Sequence, residues 1–210
     1  MLMKKGAEAD LFLEEWHGMK VIVKKRVRKA YRIPQLDDEI RTYRTIHEAQ
    51  IIHRAKEAGV PTPLIFMVDT AEKTIVMEFV EGRQIKRCLK EMQREKRLGL
   101  CRYIGNLIGK LHREDIVHGD LTTSNMILTS EGVVFLVDFG LSEISEELEA
   151  RGVDLHLMKR TFQSTHYEYA DECFEAVMEG YKEIVGEEIY KKILTKIAEI
   201  ERRGRYVSER

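Results

Sequence analysis

The strongest constraint on this chain is a pair of polar segments, "HGDLTTSN" (118–125) and "VDFG" (137–140). Short apolar pieces border both segments, so the pattern predicts loops between buried strands. Asp120 and Asn125 stand in the first loop and Asp138 in the second. Each residue alone is best explained as a turn cap or a strand end, but their combination in this order predicts a catalytic loop.

The three side chains suit the transfer of a phosphoryl group. Asp120 can orient an attacking hydroxyl or water, or accept its proton. Asn125 and Asp138 can hold a metal ion that bridges phosphate oxygens. Positioning and charge neutralisation supply most of the catalysis in such reactions. Magnesium keeps few protein ligands, so one amide and one carboxylate are sufficient.

Bulk properties place the chain among ordinary globular proteins. It has 210 residues, with 43% apolar and 34% charged side chains and a formal net charge of −1. This length allows one domain or two small lobes. No apolar run is long enough for a signal peptide or a membrane span, so we expect a cytoplasmic protein without membrane contact. Three distant cysteines without a CxxC pair exclude a disulfide framework and a zinc site.

The hydrophobic pattern changes character near residue 80. Before it, "DLFLEEW" and "MKVIVKK" read as strands joined by a turn at His17-Gly18, and a long helix with acids at its start follows over 36–59. After it, a helix over 97–112 carries a continuous apolar stripe, and three helical segments are expected from 151 onward. We predict a strand-rich lobe at 1–80, a helical lobe at 81–210 and a ligand cleft between them.

The two loops resemble the catalytic and magnesium-binding loops of the protein-kinase superfamily. The segment "TTSN" resembles the matching loop of the small atypical kinase subunit of the KEOPS complex. The segments "AGVPTP", "MEFVEG" and "GVDLHLMKR" extend the resemblance along almost the whole chain. The resemblance implies a reduced two-lobed α+β kinase-like fold. It also implies ATP and magnesium as cofactors and a role in the threonylcarbamoyl modification of adenosine in tRNA.

The same resemblance assigns further roles by position. Lys24 corresponds to the strand lysine that binds the α- and β-phosphates, and Glu48 to its ion-pair partner. Strand alternation alone does not choose between Lys24 and Lys25, and Glu39 is the alternative to Glu48. The segments expected to contact the nucleotide are the phosphate-covering loop, comprising Gly6, Ala7, Glu8 and Ala9, and the adenine-gripping connector, comprising Met77, Glu78, Phe79 and Val80.

Several positions depart from the family pattern. The phosphate-covering loop has only Gly6, and Gly119 replaces the arginine that precedes the catalytic aspartate. The chain passes from "DFGLS" almost directly to "ELEARGVDL", so a long activation segment for docking peptides is missing. Ala150 stands where the family often has an acid, whereas Asp154 is retained and is expected to be structural.

Basic residues cluster at two places. Seven stand between Lys20 and Arg32 without an acidic residue, and the C-terminal tail is rich in arginine. Such patches are often no more than solvated surface, but two of them favour a polyanionic partner. The candidates for contact with tRNA are Lys25, Arg26, Arg28, Lys29, Arg202, Arg203 and Arg205.

Four functions remain open at this point. The first is an ATPase or kinase subunit of KEOPS, with the threonylcarbamoyl-transferase subunit, a small regulatory subunit and tRNA as partners. The second is a free-standing serine/threonine protein kinase. The third is a small-molecule kinase, against which Gly140 and "TTSN" count. The last is a non-catalytic module that binds ATP for assembly, which has no need of Lys24, Asp120, Asn125 and Asp138 together.

Overall fold

The computed structural model of the protein describes the backbone of residues 1–208 and the side chains of residues 1–203. Its N-terminal part is an antiparallel five-stranded sheet in the order β1-β2-β3-β5-β4. The strands are β1 (Leu2–Lys5), β2 (Ala9–Trp16), β3 (Met19–Arg26), β4 (Ile65–Asp69) and β5 (Thr74–Glu78). Helix α1 (Pro34–Glu57) connects β3 to β4.

Local sequence signals explain these elements. His17 and Gly18 both have positive φ, of 50° and 78°, and such a two-residue turn matches the twist of the β2–β3 hairpin. Helix α1 begins with Pro34, whose fixed φ suits a first helical position, and Asp37 lies in its first turn. The predicted hairpin and the predicted long helix are both confirmed.

The C-terminal part is mainly helical. It contains β6 (Arg83–Gln84), α2 (Ile85–Cys88), α3 (Arg94–Arg113), β7 (Ile116–Val117), β8 (Met126–Leu128), β9 (Val134–Leu136), β10 (Glu143–Ile144), α4 (Leu148–Thr165) and α5 (Ala170–Ser208). Strands β6, β8 and β9 form one small sheet and β7 pairs with β10, so both predicted loops lie next to short strands. Gly186 (φ 82°, ψ 166°) interrupts α5, and the three predicted helical segments are thereby confirmed.

Two glycines let α3 and α5 pack backbone against backbone. A Cβ atom on Gly105 would stand 1.9 Å from the carbonyl oxygen of Val177, and one on Gly180 would stand 1.9 Å from that of Arg102. Around this contact lie Tyr181 and the free, buried thiols of Cys101 and Cys173, while the thiol of Cys88 is free and buried elsewhere in the core.

The α+β class is confirmed, with the strand-rich and helical parts in the predicted order. Strand β1 and the short helix α2 were absent from the expectation because neither has a periodic apolar pattern long enough to detect. Within residues 1–208, none of the helices combines the length and the apolarity that crossing a membrane requires.

Candidate active site

Lys24 lies at the centre of the site on β3. Its side chain is almost fully buried, and its Nζ donates to Glu48 Oε1 and to Asp138 Oδ1, at 2.6 Å each. Burial opposes the positive charge, but the two carboxylates outweigh it and raise the pKa of Lys24. The neighbouring Lys25 points to the other face and pairs with Glu72 at 2.7 Å. The structure thus brings Lys24, and not Lys25, to the candidate site.

The carboxylate of Glu48 on α1 pairs with two basic side chains rather than one. Its Oε1 accepts from Lys24, and its Oε2 accepts from Arg26 Nη2 at 2.6 Å. Arg26 also donates to the carbonyl oxygen of Arg44 at 3.0 Å, which ties the end of β3 to the helix. Glu48 is buried, whereas the alternative Glu39 is exposed. The pairing with Arg26 was missed, although its position two residues after Lys24 places it on the same face of the strand.

Asp138 approaches Lys24 from the C-terminal part of the chain. It has a left-handed backbone conformation with φ 65°, which is uncommon for a residue other than glycine and is typical of functional sites. Partial burial would raise the pKa of Asp138, but the charge and hydrogen bond of Lys24 hold that pKa below its usual value. The carboxylate is therefore ionised and able to bind a cation.

Asp120 and Asn125 are joined directly within the catalytic loop. Asn125 Nδ2 donates to the carboxylate oxygen Oδ2 of Asp120 at 2.8 Å and to its carbonyl oxygen at 2.9 Å. A 3₁₀-helix, Thr123–Asn125, closes the loop and brings the amide back towards the acid. With the amide nitrogen committed to Asp120, the amide oxygen of Asn125 makes no hydrogen bond within residues 1–203.

A buried carboxylate on α4 anchors this loop. Asp154 accepts hydrogen bonds from the backbone N–H of His118 at 2.8 Å and from that of Gly119 at 3.0 Å. His112 Nε2 lies 3.2 Å from the same carboxylate, and His112 Nδ1 lies 3.1 Å from the hydroxyl of Tyr181. The structural role expected of Asp154 is borne out by these contacts, whereas the link to Tyr181 has no signal in the sequence.

Gly119 allows the two loops to touch. It has φ 76°, and a Cβ atom there would stand 2.1 Å from the carbonyl oxygen of Leu141, just after "DFG". No larger residue fits, because both the backbone conformation and the contact require glycine. The short connection to β10, which pairs with β7, keeps Leu141 in this place.

The phosphate-covering loop is held by side chains and by its own backbone. Gly6 N donates to Ala9 O at 3.1 Å, and a Cβ atom on Gly6 would stand 2.4 Å from that oxygen. Glu8 pairs with Arg44 of α1 at 2.7 Å, and Lys29 donates to the carbonyl oxygen of Ala7. The loop is thus tied to α1, a feature that its low glycine content did not predict.

The connector after β5 offers free backbone groups. Met77 and Val80 are buried, and Glu78 forms a backbone hydrogen bond to Leu64 at 2.8 Å. Within the part of the chain that the structure describes, the backbone groups of Phe79 and Val80 make no hydrogen bond to other protein groups. Such groups suit the edge of a purine ring, so this geometry is compatible with the expected contact to adenine.

The donor set at the candidate site fits magnesium better than a soft metal. Asp138 supplies a carboxylate and Asn125 an amide oxygen, and hard oxygen ligands of this kind suit Mg²⁺. Residues 1–203 contain no group of three or more His, Cys, Asp or Glu side chains arranged to hold a metal ion. A magnesium ion bound here would therefore complete its shell with water and phosphate oxygens.

The candidates for contact with tRNA differ in accessibility. Arg26 must be removed from that set, because its side chain is buried and bonded to Glu48. Lys25, Arg28, Arg202 and Arg203 are exposed and Lys29 is partly so, with Arg203 bonded to Glu149. The side chain of Arg205 lies outside the described residues.

Comparisons with known proteins agree with this geometry. The protein kinase domain model matches residues 11–185. The chain is 53% identical to the KEOPS complex subunit Bud32 of Pyrococcus abyssi, over 98% of this chain and 96% of that protein. It is 45% and 40% identical to probable bifunctional tRNA threonylcarbamoyladenosine biosynthesis proteins of Methanothermobacter thermautotrophicus and Methanocaldococcus jannaschii.

The relatives differ in how much of their own length this chain covers. The chain spans 36% and 37% of the two bifunctional proteins, but nearly all of the Pyrococcus subunit. The match to the protein kinase domain covers both predicted loops and strand β3, which carries Lys24. The chain therefore belongs to the protein kinase domain family and, within it, to the family of the KEOPS complex subunit Bud32.

Proposed function

We propose that this protein is an ATP-dependent kinase or ATPase that works in a KEOPS-type complex and supports the threonylcarbamoyl modification of adenosine in tRNA. The observation that carries the proposal is the meeting of Lys24 with Glu48 and Asp138 beside the Asp120–Asn125 pair. This set supplies a phosphate-binding cation, metal ligands and a group that can orient a nucleophile.

Each side chain has a distinct role in the proposed reaction. Asp120 orients the attacking hydroxyl or water, and Asn125 fixes the position of that carboxylate through its hydrogen bond of 2.8 Å. Lys24, held by Glu48, binds phosphate oxygens of ATP. Asp138 and Asn125 would hold magnesium, which neutralises charge on the phosphates when it is bound. The backbone of the connector would hold adenine.

The segment after "DFG" favours this function over a free-standing protein kinase. Only residues 141–147 separate Gly140 from the start of α4 at Leu148. Part of that stretch pairs with β7, and Leu141 is packed on Gly119. A peptide substrate therefore has little surface on which to dock next to Asp120, whereas water and a residue delivered by a bound partner need no such platform.

The names of the relatives support the proposed partners. One is named as a KEOPS complex subunit, and others are named as bifunctional biosynthesis proteins in which a segment like this chain makes up about a third of the length. We therefore propose the tRNA threonylcarbamoyl-transferase subunit, a small regulatory KEOPS subunit and tRNA as partners, with a cytoplasmic location. The remaining candidates for contact with tRNA are Lys25, Arg28, Lys29, Arg202, Arg203 and Arg205.

The test follows the γ-phosphate. The protein is incubated with γ-labelled ATP and magnesium, and the transferase partner and tRNA are each added or omitted. We expect free phosphate to be the main product and its release to be faster with partner and tRNA. Label that stays on protein and ignores tRNA would instead indicate a protein kinase.

Two variants connect this turnover to the site. Asp120→Ala should abolish turnover while ATP and partner still bind, because its carboxylate orients the nucleophile and is not needed for assembly. Asp138→Asn should lose metal-dependent turnover. Activity of Asp138→Asn equal to the original protein at saturating magnesium would contradict its role as a metal ligand. Loss of partner binding in Asp120→Ala would favour the non-catalytic module.

A further inference from the structure

The phosphate-covering loop has a single glycine. The N–H of that residue, Gly6, donates to the carbonyl oxygen of Ala9 at 3.1 Å and is not available to a phosphate. The loop also carries the carboxylate of Glu8, which pairs with Arg44 and would otherwise repel an anion. Glycine-rich loops cradle a polyphosphate with several backbone N–H groups, because glycine lets the backbone approach closely. A second cation near Lys24 would strengthen phosphate binding by a loop that has only one glycine.

The sheet supplies such a cation on β1. Lys4 is the register partner of Leu11, and Leu11 is the register partner of Lys24. Residues paired in this way point to the same face of a sheet. Lys4 therefore lies on the face of Lys24, two strands away, or about 10 Å between Cα atoms.

An irregularity in β1 is what turns Lys4 to this face. The register shifts between Leu2, which pairs with Phe12, and Lys4, which pairs with Leu11. In a regular ladder Met3 would pair with Leu11, and Lys4 would point the other way. Bulges of this kind occur next to active sites, where they re-aim a side chain. Lys5, one residue further, pairs with Asp10 and shares the opposite face with Lys25.

Lys4 has no competing partner in the structure. Its side chain is exposed, and within residues 1–203 no carboxylate lies within 4.0 Å of its ammonium. The ammonium of Lys4 is therefore free to contact a ligand on the face of the sheet that carries Lys24.

We propose that Lys4 is a second phosphate-binding lysine, which with Lys24 grips the polyphosphate of a nucleoside di- or triphosphate from the sheet side of the cleft. The inference rests on the proposed function, since it concerns the nucleotide of the same site. It assigns to a bulged strand the task that glycine-rich loops perform with backbone amides.

The test compares neighbouring lysines of equal charge on opposite faces. Calorimetry measures the Kd of a non-hydrolysable ATP analogue, of ADP and of adenosine, each with magnesium, for the original protein and for Lys4→Ala, Lys4→Arg and Lys5→Ala. We expect Lys4→Ala to weaken binding of the ATP analogue about tenfold, the size of one charge-assisted contact. Adenosine should change less than about twofold, and Lys4→Arg should retain most of the affinity for the analogue.

The same series can overturn the inference. If Lys4→Ala binds the analogue with an affinity within about twofold of that of the original protein, the inference is wrong. An equal loss in Lys5→Ala would also overturn it, because it would indicate bulk charge rather than a contact. An equal loss for adenosine would point to a distorted strand. An original protein that binds none of the three ligands would overturn the proposed function and this inference with it.

Discussion

Arg26 shows how a single side chain changes role with its surroundings. In the sequence it is the third of the consecutive basic residues "KKR", a pattern that favours contact with tRNA. In the structure it is buried and shares Glu48 with Lys24. The second carboxylate oxygen of Glu48 is thus paired with Arg26 independently of Lys24.

Replacing Arg26 tests that internal role. Arg26→Ala should lower the free energy of unfolding by about 3 kcal/mol, because it removes one partner from a buried charged cluster. Lys25→Ala is the matched control and should cost less than about 1 kcal/mol, since its pair with Glu72 is exposed. Urea unfolding followed by circular dichroism measures both values. Similar small losses in the two variants would contradict the buried role.

The roles of residues were predictable to different degrees. Asp120, Asn125 and Asp138 stand in loops whose spacing and apolar borders are visible in the sequence. In the structure the two loops are adjacent, because the backbone N–H of Val137 donates to the carbonyl oxygen of Asn125 at 3.0 Å. The choice of Lys24 over Lys25 came from the family resemblance, because strand alternation does not decide between them. The pairing of Arg26 with Glu48 and the bond from Tyr181 to His112 depend on which distant elements pack together, and composition or periodicity does not encode that.

The packing of helices α3 and α5 depends on the close approach of their backbones more than on large side chains. Gly105 and Gly180 stand where the two backbones approach, and a methyl group on either would overlap a carbonyl oxygen. The helical periodicity of the sequence predicted both helices. The reason for glycine at these positions becomes clear only when the two helices are seen packed against each other. The same contact places Tyr181 beside His112, so it also affects the support of the catalytic loop.

Two alanine substitutions with opposite expected signs test this packing. Gly180→Ala should destabilise the protein by several kcal/mol, on the order of other overpacked sites, because its Cβ atom would stand 1.9 Å from the carbonyl oxygen of Arg102. Gly99→Ala, on α3 with nothing within 4 Å of a Cβ atom, should stabilise by about 0.5 to 1 kcal/mol through helix propensity. Thermal unfolding of both proteins decides. A neutral Gly180→Ala would contradict the close contact, and a destabilised Gly99→Ala would contradict the open surroundings of that residue.

At the scale of the molecule, the two parts share one hydrophobic core, in which Ile51, Ile52 and Val60 belong to the same buried cluster as Leu107, Ile108 and Leu111 of α3. Polar contacts also join them at the candidate site. Lys24 bonds Asp138 at 2.6 Å, and His47 of α1 lies 3.1 Å from the carbonyl oxygen of Ser142. The order of strand-rich and helical parts was predictable from the change in hydrophobic period near residue 80, and the boundary there remains our proposal. The path of the segment after Gly140 was not predictable, because its placement depends on the pairing of β10 with β7.

Buried ionisable groups under the catalytic loop predict sensitivity to acid. Burial lowers the pKa of His118 from its usual 6.5, so this residue is neutral in the folded protein. The unfolded chain then binds a proton that the folded one does not, and stability is lost as the pH falls below about 6.5. Each such group contributes a slope of up to about 1.4 kcal/mol per pH unit.

Asp154 adds a second stage at lower pH. Burial would raise its pKa, but the hydrogen bond from His112 and other partners hold that pKa below the usual 3.8. Its contribution to stability is present above that value and is lost as the pH falls further.

Denaturation at a series of pH values measures both stages. His118→Gln should flatten the first stage, whereas His53→Gln, at an exposed position of α1, should leave it unchanged. An identical pH dependence in His118→Gln and the original protein would contradict this assignment.

The contact between Gly119 and Leu141 limits how this protein can be modified by evolution or design. An arginine at position 119 cannot be introduced alone, because its Cβ atom would stand 2.1 Å from the Leu141 carbonyl oxygen and its backbone would have to keep φ 76°. The segment after Gly140 would have to lengthen and move away first. A phosphorylation-gated version of this chain is therefore separated from it by an insertion and a substitution that must occur in that order.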